Sequence, residues 1–160
     1  MNTKKVMVYA IVGVGGIGKT TLAKKIFNHD SIKQEFQKRI WLSVNKEFSD
    51  VDLLERAITG AEGNHQAPRN TKDTLERTLK QAVEGCKTLL VMDDVWDHRA
   101  WEKVLKPPLI KSLAPGSRVL VTTRQDEVAR GMMAEVPYHY VDKLEQEDAW
   151  SLLKKQVRIS

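Results

Sequence analysis

A single cysteine, Cys86, among 160 residues rules out a disulfide framework and fits a reducing compartment better than secretion. No apolar run approaches the roughly 20 residues that a membrane helix needs. The four histidines, His29, His65, His98 and His139, show no metal-ligand spacing among themselves or with Cys86, so a metal site built by side chains alone is not expected. No recognition helix, zinc knuckle or aromatic RNA motif is present. Internal repeats, low-complexity tracts and linkers are missing too. The N-terminal stretch MNTKKVMVYAIVGVGG has a basic start and an apolar middle. It runs directly into GKT without a small-residue cleavage pattern, so it is not read as a signal peptide.

What is present is the make-up of one ordinary domain, 18.2 kDa with 41% hydrophobic and 29% charged residues. A chain of this size buries enough surface to hold a core unaided. The net charge of +5 is uneven. Residues 1–40 carry eight basic residues against two acids, and the remainder carries 18 against 19. A basic front third suggests an anionic partner. Nucleotide phosphates would need a few of these charges, and nucleic acid would use more. Lys4-Lys5 and Lys24-Lys25 are read as solvated surface, and the tryptophans Trp41, Trp96, Trp101 and Trp150 as packed in or beside the core.

Short β-rich runs alternate with helical stretches. Strands are expected at Val6–Val12, Arg39–Val44, Thr88–Asp93, Ser117–Thr123 and Tyr138–Val141. Helices are expected at Lys19–Asn28, Asp52–Ile58, Asp73–Val83 and Glu145–Val157. Asp73 and Glu76 resemble a capping box. A short helix carrying Trp101, Val104 and Leu105 should stop at Pro107 and Pro108, and residues 59–70 read as a polar loop. Apolar strands separated by helices imply a parallel sheet covered on both faces. Ligands then bind where the strands end.

Gly13-Val14-Gly15-Gly16-Ile17-Gly18-Lys19-Thr20 fits GxxxxGK[ST] at every fixed position, between a strand and a helix. The glycines let backbone N–H groups, from Gly13 through Thr21, approach phosphate oxygens without Cβ clashes. The following helix points its positive end the same way. Lys19 adds a full charge at the β- and γ-phosphates, and Thr20 offers a hydroxyl to magnesium. A dinucleotide GxGxxG reading matches Gly13, Gly15 and Gly18, but leaves Lys19-Thr20 unexplained and finds no acid ending the RIWLSV strand. Further on, Leu89-Leu90-Val91-Met92 ends in Asp93-Asp94. Asp93 would hold the magnesium, and Asp94 would orient or deprotonate an attacking water. Arg124 ends the fourth strand, where an arginine can reach a γ-phosphate. The alternative there is a surface ion pair with Asp126 or Glu127.

The ordered segments GVGGIGKTTLAKKIFN, FQKRIWLSVNKEFS, TLLVMDDVWD, GSRVLVTTR and YHYVDKLEQEDAWSLL together resemble the NB-ARC nucleotide-binding module of plant intracellular immune receptors of the coiled-coil, leucine-rich-repeat kind. The resemblance runs from about Val6 to Val157. It implies a three-layer P-loop NTPase fold with a five-stranded parallel sheet of the additional-strand type. In that fold the arginine-bearing strand lies between the phosphate-loop strand and the acid-pair strand. It implies an ATP/ADP switch with magnesium and slow hydrolysis, in which Gly18, Lys19 and Thr20 meet phosphate and magnesium. Asp93 and Asp94 are then the acid pair and Arg124 the γ-phosphate sensor. It also implies the other receptor domains as partners, self-association on activation, and a cytoplasmic or nucleo-cytoplasmic location. The family's upstream glycine-arginine motif and its downstream helical and winged-helix motifs find no match here. The expectation is therefore one nucleotide-binding subdomain over residues 1–160, with the phosphate half of a site. Two other readings compete: a nucleic-acid-binding module contacting DNA through the basic front third, and a small-molecule P-loop kinase.

Overall fold

The computed structural model describes residues 6–14, 18–62, 71–141 and 146–158. Five strands form, β1 (Val6–Val12), β2 (Lys38–Ser43), β3 (Thr88–Val95), β4 (Ser117–Thr123) and β5 (His139–Tyr140). All pair in parallel, in the order β2-β3-β4-β1-β5. The arginine-bearing strand β4 therefore does lie between β1 and β3. β1 and β4 pair residue for residue from Val6–Ser117 to Val12–Thr123. All seven β4 residues are buried, as expected for the centre of a sheet covered on both faces.

Seven α-helices are described: α1 (Lys19–Asn28), α2 (Asp30–Glu35), α3 (Asp50–Glu62), α4 (Lys72–Val83), α5 (Lys106–Leu109), α6 (Asp126–Gly131) and α7 (Gln146–Arg158). Successive strand residues point to opposite faces. Tyr9, Ile11 and Leu120 pack with α1, α2 and α7, burying Leu22, Ile32 and Leu153. Val8, Ala10 and Val121 pack with α3 to α6, where Leu54 and Leu79 are buried, and with Trp101 in the turn just before α5. The architecture is a three-layer α/β fold.

Several elements depart from what the sequence suggests. Thr71, not the Asp73–Glu76 pair, caps α4: its hydroxyl accepts from the Thr74 N–H at 3.4 Å. The chain does not stop at Pro107 and Pro108. Ala100–Leu105 is one π-helical turn that passes directly into α5, where prolines in a first turn need no N–H partner. Residues 59–62 belong to α3, and the rest of the expected loop lies outside the described residues. The short helices α2 and α6 were not expected. His29 caps α2, its Nδ1 accepting from the Ser31 N–H at 3.2 Å. β3 runs two residues beyond its expected end, and β5 is two residues shorter. Glu145, the expected start of the last helix, lies outside the described residues. No helix among them is long and apolar enough to cross a membrane.

Candidate functional site at the C-terminal edge of the sheet

The parallel topology brings the ends of β1, β3 and β4 to one edge, together with the start of α1. The Gly13 N–H donates to the Thr123 carbonyl at 3.1 Å, extending the β1–β4 ladder by one residue. Gly18 adopts φ 89° and opens α1, a left-handed conformation that glycine takes without steric cost. The Leu22 N–H then donates to the Gly18 carbonyl at 2.9 Å, the helix's first turn. The positive end of a ten-residue helix thus faces the strand ends. Gly15, Gly16 and Ile17 lie outside the described residues. Val14 is exposed, and its carbonyl accepts from Lys19 Nζ at 3.1 Å. Lys19 is 7% exposed. Burial, aided by the Arg124 guanidinium, lowers its pKa from the usual lysine value, while Asp94 and Asp93 oppose that shift.

At the end of β3 the register breaks. Met92 pairs with Val121, but Val95 pairs with Thr123. Asp93 and Asp94 together oppose the single residue Thr122, and Asp94 takes φ 59°. This is a bulge, which re-aims side chains at the end of a strand. Thr122 serves both acids. Its hydroxyl donates to Asp93 Oδ1 at 2.7 Å and accepts from the Asp94 N–H at 2.7 Å. The Thr20 hydroxyl donates to the same Asp93 carboxylate at 2.9 and 3.0 Å. Asp93 is 7% exposed and so joins α1, β3 and β4 through hydroxyl groups. Asp94 is half exposed and lies 3.8 Å from the Arg124 Nε. Arg124 therefore pairs with the second aspartate, not with Asp126 or Glu127. Its guanidinium also lies 4.9 Å from the centroid of the Trp96 ring.

Lys19, Thr20, Asp93, Asp94 and Arg124, drawn from three elements, thus converge on one edge. Gly13 and Gly18 frame them. Thr21 follows on α1, with its side chain exposed. Sequence reasoning missed Thr122 and Trp96. Thr122 had a signal: a hydroxyl closing a buried strand beside an acid pair must find a charged or backbone partner. Trp96 had only its place two residues beyond Asp94. Of the four tryptophans Trp101 lies in the core, and Trp96 is half-buried at this edge.

The family model described as NB-ARC domain matches residues 1–159. The disease resistance protein RPP13 of Arabidopsis thaliana is 33% identical over 158 residues, covering 96% of this chain and 19% of that protein. The disease resistance protein RGA2 of Solanum bulbocastanum is 34% identical over 151 residues, covering 93% and 15% respectively. The chain thus spans less than a fifth of the length of these relatives. Among solved structures, the signal transduction ATPase with numerous domains that carries a tetratricopeptide repeat sensor, from Pyrococcus horikoshii, is similar at 22% identity. The TM-score is 0.39, with 95% of this chain and 24% of that one covered.

Proposed function

The chain belongs to the NB-ARC family of P-loop nucleotide-binding domains, and from that premise we propose that it binds ATP and ADP with magnesium and hydrolyses ATP slowly, as the switch core of a plant immune receptor. The observation that carries this reading is the hydroxyl–carboxylate network of Thr20, Asp93 and Thr122 beside the buried Lys19. A purely structural edge has little reason to bury an ammonium and a carboxylate at the start of a glycine-opened helix, since burying charge is costly.

The donor set suits magnesium. Thr20 and Asp93 offer oxygen only, and magnesium prefers few protein oxygens, keeping its remaining positions for water and phosphate. Thr20 and Asp93 would hold it, and when bound it would neutralise phosphate charge. Lys19 and the N–H groups from Gly15 to Thr21, including those of Gly16 and Ile17, bind the phosphates, while Gly13, whose N–H is spent on the Thr123 carbonyl, ties the start of the loop to β4. Asp94 is exposed enough to meet water, and it orients or deprotonates the attacking molecule. Arg124 meets the terminal phosphate.

The subdomain works with the other domains of a longer receptor, as the disease resistance relatives suggest. The single cysteine agrees with a reducing, cytoplasmic setting.

Calorimetry with ATP, ADP and AMP, with and without magnesium, tests the reading. Asp93→Asn should weaken magnesium-dependent binding, whereas Asp94→Asn should lower hydrolysis more than binding. A metal ligand acts on charge neutralisation and a base on the chemical step. Identical behaviour of the two variants in both assays would overturn the division of roles. Equal binding of AMP and ATP would overturn the phosphate site.

A further inference from the structure

The bulge at Asp94 does more than re-aim the acid pair. Had Met92–Val121 pairing continued regularly, Val95 would oppose Arg124 and Trp96 would lie one position beyond. The extra residue instead sets Val95 opposite Thr123, so the next residues on the two parallel strands, Trp96 and Arg124, become neighbours. The Thr123 hydroxyl donates to the Val95 carbonyl at 2.8 Å and fastens this register. The Arg124 guanidinium then lies 4.9 Å from the Trp96 ring centroid, and Lys46, on the segment after β2, holds its Nζ 5.3 Å from the same ring. Arg124 is an exposed, long side chain with many rotamers, and its ion pair with Asp94 is loose at 3.8 Å. The half-buried indole is its other contact, and a ring face attracts a cation through its quadrupole.

We propose that Trp96 is the positioning residue for Arg124, holding the guanidinium at the mouth of the site and thereby setting the preference for triphosphate over diphosphate. This rests on the reading of the edge as a nucleotide site. A third phosphate is the group that Arg124 would meet. An arginine already restrained on the ring loses less side-chain entropy when it binds. A diphosphate makes no use of that restraint.

The test titrates the intact chain with ADP and with the non-hydrolysable β,γ-imido analogue of ATP, both with magnesium. Trp96→Leu should lower affinity for the imido-triphosphate on the order of three- to tenfold, the range of a partly exposed cation–ring contact, and leave ADP affinity unchanged. Trp96→Phe, which keeps a ring face, should restore most of the loss. Adding Trp96→Leu to Arg124→Ala should cost nothing further, because the ring acts through the arginine. Equal losses for both nucleotides, or additive losses in the double variant, would overturn the proposal. Lys19→Ala separates the two levels of the argument. If the wild-type chain binds both nucleotides, Lys19→Ala weakens both, and the ratio ignores Trp96, only the positioning role falls. If the wild-type chain binds neither, the site reading falls and takes the positioning role with it. A second measurement avoids any folding defect in the leucine variant. In the intact chain labelled with fluorotryptophan, the Trp96 resonance, assigned with Trp96→Phe, should move with the imido-triphosphate but not with ADP. That movement should vanish in Arg124→Ala. An equal response to both nucleotides would overturn the proposal.

Discussion

The sheet opens at two edges, and both bury polar side chains, but they use them differently. At the N-terminal edge Thr88 and Ser117 are buried. The Ser117 hydroxyl accepts from the Thr88 N–H at 3.0 Å and donates to the Ala114 carbonyl at 2.7 Å, while the Thr88 hydroxyl donates to the Cys86 carbonyl at 3.1 Å. Neutral hydroxyls there stitch backbone to backbone, and the buried cation beside them, Arg118, donates to the Ser117 carbonyl at 3.0 Å. At the C-terminal edge the hydroxyls of Thr20 and Thr122 serve a carboxylate, beside an ammonium and a guanidinium. Register is regular at the first edge and broken by a bulge at the second. Buried polarity alone therefore does not mark a site. Ionisable groups gathered where the ladder is interrupted do, because their charge has been desolvated without being fully spent on the protein itself.

Lys19→Ala attacks the charged edge and should have the largest effect. A charge-assisted contact is worth about 1.5–3 kcal/mol, so ADP and ATP affinity should fall tenfold to a hundredfold. The melting temperature should hold, since Lys19 contributes charge to a ligand rather than packing. Calorimetry and a thermal melt check this, and unchanged ADP binding would erase the contrast between the edges. Ser117→Ala attacks the neutral edge. It leaves the Thr88 N–H buried without its acceptor, which should cost about 1–3 kcal/mol of folding stability. Nucleotide affinity should not change. Denaturant unfolding beside the same titration would reveal a failure if binding fell while stability did not.

The smallest expected effect concerns His139, a buried titratable group in β5 whose ring meets the Gln156 side chain. Burial lowers its pKa from the usual imidazole value, partly offset by its hydrogen bond of 2.6 Å to the Gln156 Oε1. The unfolded chain takes up this proton near pH 6.5, and the folded chain takes it up only lower. The contribution is therefore complete above about pH 6.5 and is lost as pH falls below it. Denaturant midpoints from about pH 7.5 down to about 5.5 should fall less steeply in His139→Gln than in the wild-type chain. Equal slopes would mean that His139 titrates normally despite its burial.

The four longer strands were legible because a sheet covered on both faces demands continuous apolar runs, and TLLVMD and SRVLVTT supply them. Lys19, Thr20 and Asp93 were legible because the phosphate loop and the strand-ending acid are local patterns. Helices α2 and α6 were not, since six residues give too little periodicity. Pro107 and Pro108 misled because proline tolerance depends on whether an N–H is needed, which spacing does not reveal. The bulge and the Trp96–Arg124 contact were hidden for a different reason. They arise from pairing between residues 28 positions apart in the sequence, and nothing in either segment alone announces a register shift.

The place of β4 between β1 and β3 has a consequence for the order in which the chain can assemble. β2 and β3 can pair once residue 95 exists. β1 is made first, yet both its partners, β4 and β5, come after residue 116. Contacts of such long range close slowly, because the loop entropy is lost before the pairing repays it. The phosphate loop thus precedes the strands that it needs and is among the last parts of this fold to be held in place. A nascent chain ending before Ser117 would carry every residue of the loop while lacking the strand that separates it from the acid pair. In that interval β1 and β3 offer facing, unpaired edges to any strand that reaches them first. Correct folding then rests on β4 arriving before a neighbouring chain does.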